Sequence, residues 1–319
     1  MDALDELERR IVAALQINPR ASWRTVAAAL GEHERSVARR GAELLDGGRV
    51  AAVGIRAREA SLLVRARCVP GSAPVTAESL ANRADSSFSY MVTGSTDVVA
   101  EILTTRGQLA HLLSVELATT PGVARAETLP VLKYFRTIRS WRVGALTPHE
   151  SEAMGEGRRP EANDRPTDRP LSAQDQDIVG CLISNARMSF EEIARRSGVS
   201  ETTARRRVDW LLANDVVQLR VLVEPAAVGL PLEALVWLRV APDRLERIGQ
   251  SLRRDPRVRY AAALAGSSQL VVDVTLATSE DLYRFVTESE WSSGVESFDI
   301  SMVVRARKRG GRLNDPSVV

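Results

Sequence analysis

The stretch "GVSETTARRRVDWLLANDVV" (198–217) places three consecutive arginines on a segment with helical periodicity. Advancing about 100° per residue puts Arg206 opposite an apolar side, with Arg205 and Arg207 on its two flanks. That apolar side consists of Ala204, Val208, Leu211 and Leu212. Gly198 suits the left-handed turn that closes a preceding helix. The pattern predicts the turn and the last helix of a helix-turn-helix unit.

The same skeleton occurs a second time in the chain. The stretch "GEHERSVARRGAELLDGGRV" (31–50) matches 198–217 at an offset of 167 residues. Farther along the chain the offset becomes 172, where Gly94-Ser95 aligns with Gly266-Ser267. This repetition predicts a tandem duplication of a unit of about 140 residues.

Within each copy the helical periodicity gives way to strand-like patterns. The segments 49–57 and 216–225 are rich in β-formers and predict a wing after each helix-turn-helix. The remainder reads as strand, helix, strand, strand, helix, strand, which is the order of a ferredoxin-like sandwich. In the second copy these elements are predicted at 232–240, 243–254, 257–265, 268–276, 279–290 and 295–305. The predicted fold class is α+β, with two copies of a winged helix-turn-helix domain followed by a ferredoxin-like βαββαβ domain.

These patterns divide the chain into six predicted segments. Residues rich in proline, glycine and charge separate the two copies, as expected for a flexible linker. The predicted helix-turn-helix domains are 1–56 and 171–225, the ferredoxin-like effector and dimerisation domains 57–143 and 226–309, the linker 144–170, and a flexible tail 310–319.

Composition limits the possible functions. The 43 basic and 41 acidic residues give a net charge of +2, so binding to a polyanion must come from local patches. No apolar run approaches the roughly 20 residues that span a bilayer, and the start does not read as a signal peptide. We therefore expect a cytoplasmic protein that does not enter a membrane. Cys68, Cys181 and three histidines lack metal-ligand spacing, so we predict neither a metal nor a cofactor.

The arginine triplet has a specific interpretation if its helix enters the major groove. Such a helix offers its outward face to base edges and its flanks to the phosphates. Arg206 is then expected to read bases while Arg205 and Arg207 contact phosphates, and free amides behind Ser200 lie near a phosphate. The alternative is an ordinary solvated charged face. The predicted DNA-binding residues of the second copy are Ser200, Thr202, Thr203, Arg205, Arg206 and Arg207.

The first copy is less well equipped. Ala38 replaces Arg205, and Glu32 and Glu34 flank the start of its helix. Carboxylates there suit the helix dipole but repel phosphates. Either this copy reads a different sequence, with a carboxylate accepting from cytosine, or it binds weakly, and we favour weak binding. Its candidate residues are Arg35, Ser36, Arg39 and Arg40.

The stretch "GVSETTARRRVDWL" and the loop "GSTD" (94–97) resemble the Lrp/AsnC family of feast/famine regulators, here in a tandem-duplicated form. The resemblance implies binding to double-stranded DNA, association through the sheet domains into a homo-oligomer, and a small effector, often an amino acid, near the G-x-x-D loop. The matching effector positions are Gly94, Ser95, Thr96, Asp97, Gly266, Ser267, Ser268 and Gln269. Asp97 offers a charge for an ammonium and Gln269 does not. Both loops are also ordinary turn sequences.

We therefore expect the second copy to read DNA best and the first to keep the effector site. Two other classes remain open. A sirohaem-decarboxylase-like enzyme shares this architecture, but "FSYMVTGSTDVVAEIL" (88–103) has no histidine for acid–base chemistry, so we do not expect an enzyme. A ligand-binding co-regulator without DNA binding is the third possibility, and the near-neutral charge favours it modestly.

Overall fold

The computed structural model describes residues 3–56, 60–156 and 171–314. Contacts divide the chain into two compact units, and each unit draws on both copies. A helical unit contains the described residues of 2–57 and 142–224, and a sheet unit contains those of 58–141 and 225–319. The two helix-turn-helix domains are thus packed together in one unit, and the two sheet domains are packed together in the other, although they alternate along the chain.

The described helices are α1 (Glu6–Ile17), α2 (Trp23–Leu30), α3 (Glu34–Asp46), α4 (Ala73–Ala81), α5 (Leu109–His111), α6 (Pro148–Ala153), α7 (Ala173–Ser184), α8 (Phe190–Ser197), α9 (Glu201–Ala213), α10 (Leu245–Arg254) and α11 (Ser279–Thr287). The strands are β1 (Val50–Arg56), β2 (Ala60–Cys68), β3 (Ser86–Val92), β4 (Val98–Thr104), β5 (Val123–Arg136), β6 (Val217–Val223), β7 (Leu232–Val240), β8 (Val258–Leu264), β9 (Leu270–Leu276), β10 (Val295–Arg309) and β11 (Arg312–Leu313). In the second copy these elements agree with the predicted ones to within a few residues.

Each copy forms the predicted three helices. In the second copy, α8 ends at Gly198, whose φ of 67° is left-handed. The hydroxyl of Ser200 then caps α9 by accepting from the Thr203 amide at 3.2 Å. Gly31 repeats this turn with the same φ in the first copy, but His33 makes no side-chain cap there. The last helix of each helix-turn-helix unit, α3 or α9, is called the recognition helix in this motif. The two recognition helices therefore start differently.

The predicted wings are wrong, because neither β1 nor β6 turns back on its own copy. The two strands instead pair with each other, antiparallel, over their full lengths. Their side chains are largely buried, so apolar segments from both copies form one shared ribbon. This tertiary pairing could not be read from either segment alone.

The predicted flexible linker is wrong for residues 144–156, because they include α6. Thr147 and Glu150 cap this helix reciprocally, and Pro148 occupies its first turn. Met154 is buried, and Glu150 accepts from Arg10 at 2.6 Å. Residues 157–170 lie outside the described residues.

The sheet unit joins two four-stranded antiparallel sheets, each with the predicted βαββαβ order. The long strands β5 and β10 each pair with one sheet at their start and with the other at their end. Eight strands therefore close into a ring in the order β10, β3, β4, β2, β5, β8, β9, β7. One apolar cluster fills the space between the sheets, and another lies under the helices of each copy.

The predicted flexible tail is also partly wrong. Gly310 and Gly311 adopt positive φ angles, and β11 folds back to pair with the end of β10. Glycines suit a tight turn because they lack a Cβ. Residues 315–319 lie outside the described residues.

Candidate nucleic-acid interface and effector site

Arg206 lies on the exposed face of α9, opposite the buried Ala204, Val208 and Leu211. Thr202 beside it is also exposed. Within residues 3–56, 60–156 and 171–314, no hydrogen bond or ion pair engages the Arg206 side chain. The guanidinium is therefore available to an external acceptor.

The flanking arginines of α9 are engaged by the protein itself. The Arg205 guanidinium stacks over the Phe190 ring at 4.3 Å and lies 3.8 Å from the Glu201 carboxylate. Arg207 lies 3.6 Å from Asp175, near the start of α7. Both side chains remain substantially exposed. Their predicted phosphate contacts stay predictions, and each would compete with an existing partner.

The first copy holds its equivalent arginines more tightly. Arg39, which aligns with Arg206, binds both carboxylate oxygens of Glu43 at 2.8 and 2.9 Å. Arg40 bonds to Asp5, the cap of α1. The pKa of Asp5 is lowered, chiefly by the Glu8 amide and then by Arg40, against the opposing effect of burial. Arg35 is exposed and Ser36 is half-buried.

Glu32 does not leave an uncompensated charge beside the first recognition helix. Its carboxylate accepts from Arg10 at 2.7 Å, and the same guanidinium also binds Glu150 on α6. Glu34 is exposed on the first turn of α3. The acidic character expected here is therefore partly neutralised by Arg10.

The two G-x-x-D-type loops are built alike despite their different last residues. An Asp97 carboxylate oxygen accepts from the Cys68 amide at 2.8 Å. The Gln269 side-chain oxygen accepts from the Val240 amide, which is the equivalent position, at 3.1 Å. Both side chains therefore brace the hairpin in the same way, which supports the turn interpretation. The expected ammonium contact of Asp97 stays a prediction.

A charged cluster between the two loops was missed from the sequence. The nearly buried Arg65 lies 3.0 Å from the Ser95 hydroxyl, 3.3 Å from Glu127 and 3.6 Å from Asp299. Its guanidinium also stacks over Trp237 at 4.4 Å. Here "loop cluster" means Arg65, Ser95, Glu127, Trp237, Ser267 and Asp299.

The loop cluster follows the internal repeat. Ser267 donates to Glu127 at 2.7 Å, and Ser95 donates to Asp299 at 3.3 Å. Residues 127 and 299 are equivalent at the offset of 172, as are residues 95 and 267. Arg65 is equivalent to Trp237 at the same offset. The two residues at the centre of the loop cluster therefore occupy equivalent positions but differ in chemistry. Alignment of the copies could have shown this exchange of arginine for tryptophan, but not that the two side chains meet.

The space between the sheets also holds buried charges. Glu233 accepts from Arg259 at 3.0 Å and from Arg309. Burial, and then the charge of Glu233, raise the pKa of the neighbouring Asp273 well above its usual value. The first copy has a different arrangement, in which the buried Glu101 accepts from the hydroxyls of Tyr134 and Tyr260 at 2.8 and 2.9 Å.

Among the described residues, no group of three or more histidine, cysteine, aspartate or glutamate side chains is arranged to hold a metal ion. No helix in these residues has the length and apolar character needed to span a bilayer.

The structure thus combines two helix-turn-helix domains with two α+β domains of the ferredoxin-like type. Residues 4–45 and 171–212 match the AsnC-type helix-turn-helix domain, and residues 233–313 match the Lrp/AsnC ligand binding domain. The transcriptional regulator AldR of Mycobacterium tuberculosis is 30% identical over 123 residues, covering 37% of this chain and 69% of AldR. The chain belongs to the Lrp/AsnC family of transcriptional regulators.

Two further similarities span different shares of the chain. An uncharacterised helix-turn-helix regulator of Pyrococcus horikoshii is 28% identical over 142 residues, covering 44% of this chain and 90% of that protein. The crystal structure of the siroheme decarboxylase NirDL aligns over 98% of this chain and 95% of its own, with a TM-score of 0.62 and 13% identity. At that identity the similarity shows a common fold alone.

Proposed function

We propose that this chain is a sequence-specific DNA-binding transcriptional regulator in which α9 of the second copy provides the main base contact. The observation that carries this proposal is the contrast between Arg206 and Arg39. Arg206 is exposed and has no partner among the described residues, whereas Arg39 is bound at both oxygens of Glu43. The two arginines occupy equivalent positions in the repeat, so they differ in whether a neighbouring carboxylate binds the guanidinium.

The free energy of base recognition favours the unpaired arginine. A bidentate contact between arginine and guanine contributes about 1–3 kcal/mol of discrimination. Arg39 must first leave Glu43, and a vacated carboxylate then faces the phosphates. Breaking this exposed ion pair, one helical turn apart, costs only about 0.3–0.5 kcal/mol, and the unpaired Glu43 carboxylate would in addition repel a nearby phosphate. The first copy is therefore the weaker reader.

The proposal is tested by selecting duplexes from a random library with the full chain and measuring the affinity of the best one. We expect Arg206→Ala to weaken binding about 10-fold or more, and the matched Arg39→Ala to weaken it much less. The logarithm of wild-type affinity should fall steeply with the logarithm of salt concentration. Equal losses from the two variants would contradict the asymmetry. Absence of any enriched duplex would favour a co-regulator without DNA binding.

We further propose that a small effector binds at the loop cluster. The cluster offers a guanidinium, two carboxylates and two hydroxyls within a short distance, which suits the opposite charges of an amino acid. Repeating the duplex selection with each amino acid tests this. A change in the affinity of the selected duplex that Arg65→Met removes supports the site, while Arg106→Met, at an exposed position elsewhere in the sheet unit, serves as the control.

The fold similarity to NirDL supports a second candidate, a tetrapyrrole-processing enzyme. The described sheet unit contains one histidine, the exposed His111, which lies 3.4 Å from Glu116. Histidine-based acid–base chemistry would thus depend on this one exposed side chain. A tetrapyrrole absorption band in the purified protein would favour the enzyme over the regulator.

A further inference from the structure

The β1–β6 ribbon relates the two helix-turn-helix copies by a local two-fold axis. Val53 pairs with Arg220, and these residues are equivalent at the offset of 167. Val50 pairs with Val223 and Arg56 pairs with Val217. Because Val50 is equivalent to Val217 and Arg56 to Val223, exchanging the two copies turns one pair into the other. The axis therefore passes between Val53 and Arg220.

Two arginines exchange contacts across this axis. Arg20 donates to the Ala186 carbonyl and, at 3.0 Å, to the Met188 carbonyl. Arg187, its equivalent, donates to the Pro19 carbonyl at 2.8 Å. Ala186 and Pro19 are themselves equivalent, so the exchange is reciprocal, as in an isologous dimer interface.

The same two arginines stack on the copy opposite their own. The Arg20 guanidinium lies 4.6 Å from the centre of the Phe190 ring, and Arg187 lies 4.4 Å from the centre of the Trp23 ring. Phe190 and Trp23 begin α8 and α2, the helices directly before the two turns. Arg20 of the first copy thus contacts the helix-turn-helix of the second copy, and Arg187 of the second copy contacts that of the first.

Strand β1 also packs closely against the end of α7 and the residues that follow it, which prevents the two copies from sliding past each other. The Ala186 amide donates to the Ala52 carbonyl at 2.8 Å. A Cβ at Gly54 would lie 2.9 Å from the Leu182 carbonyl oxygen, so only glycine fits there without a shift. Backbone contacts and arginine exchange together hold the recognition helices in one relative position.

We propose that one chain of this protein reads one DNA site composed of two inverted but unlike half-sites at a single fixed spacing, with Arg20 and Arg187 as the positioning residues. This inference rests on the proposed function. Duplex DNA has local two-fold axes, and a two-fold pair of recognition helices fits two half-sites about one helical turn apart. The half-sites are unlike because α9 presents Arg205 and Arg206 where α3 presents Ala38 and the paired Arg39.

The experiment uses the strongest duplex from the selection with the full chain. Its consensus should be an imperfect inverted repeat, and sedimentation of the complex should give one chain per duplex. Inserting half a helical turn (about 5 base pairs) or a full turn (about 10 base pairs) between the half-sites should both weaken binding about 10-fold or more. A flexibly joined pair would tolerate the full turn.

The double substitution Arg20→Ala with Arg187→Ala should reduce the penalty of both insertions, because the pair is then held less rigidly. Arg106→Ala with Arg244→Ala removes the same charge from exposed positions of the sheet unit and should leave the penalty unchanged. Thermal unfolding identifies a variant that has lost its fold. The wild-type spacing series and stoichiometry test the inference without the variants.

The outcomes separate the two proposals. If no duplex is enriched, the proposed function fails. If a duplex is enriched but shows a single half-site, binds two chains, or tolerates the inserted turn, the fixed pair is wrong while the regulator assignment stands.

Discussion

Single residues distinguish two halves that share one backbone plan. Asp273 and Glu101 are equivalent and both buried, but their surroundings differ. Glu101 accepts from tyrosine hydroxyls, whereas Asp273 shares its space with Glu233, Arg259 and Arg309. Burial, and then the charge of Glu233, raise the pKa of Asp273 and so favour its protonated form.

Asp273→Asn should raise or preserve stability at neutral pH and flatten its dependence on pH. Burial and the charge of Glu233 raise the pKa of Asp273 well above its usual value. The folded chain then holds a proton that the unfolded chain releases above about pH 4. Stability is therefore lost as pH rises from there towards the folded pKa, and asparagine removes this loss. Urea unfolding across pH measures it, with Asp243→Asn at an exposed position as the control. An unchanged pH slope would contradict the assignment.

At the scale of the element, the turn before α9 determines how the recognition helix is presented. Gly198 is left-handed there, and the Ser200 cap follows within two residues. A residue with a Cβ is strained at such a φ angle. Gly180 lies within α7 with open space around its Cβ position, so it provides a natural comparison.

Gly198→Ala should lower the free energy of unfolding by about 1–2 kcal/mol because of the left-handed φ. Gly180→Ala should raise it by about 0.5–1 kcal/mol, since alanine has the higher helix propensity. Urea unfolding of both variants measures the difference. Equal effects of the same sign would show that the local backbone angle does not decide the outcome.

At the scale of the whole molecule, duplication supplies each sheet with a partner from the same chain. The shared strands β5 and β10 close the ring of eight strands, and the core between the sheets draws on both copies. A sheet face that would otherwise need a second protein molecule is therefore covered within the chain.

The melting temperature of the sheet unit should then not depend on protein concentration. Stability that requires association between chains rises with concentration by mass action, whereas intrachain packing does not. Calorimetry of the full chain over a wide concentration range measures this. A melting temperature that climbs with concentration would show that assembly between chains contributes to the fold.

Much of the architecture was predictable from local patterns. The buried side of α9, the left-handed Gly198 and the strand order of the second copy follow from periodicity and turn chemistry, which act over a few residues. The linker prediction failed at α6, because proline, glycine and charge dominate the composition there although Thr147 and Glu150 have the spacing of a reciprocal cap. The wing prediction failed because strand-forming residues do not indicate which strand they will pair with.

By itself, then, the sequence determined the duplicated helix-turn-helix and α+β plan, and it placed Arg206 on the outer face of its helix. Only the tertiary structure decided that β1 pairs with β6 and that Arg65 meets Asp299 and Trp237 of the other copy. The physical reason is distance along the chain. Helix faces and turns arise from neighbouring residues, whereas these contacts join segments that come together only when both copies have folded.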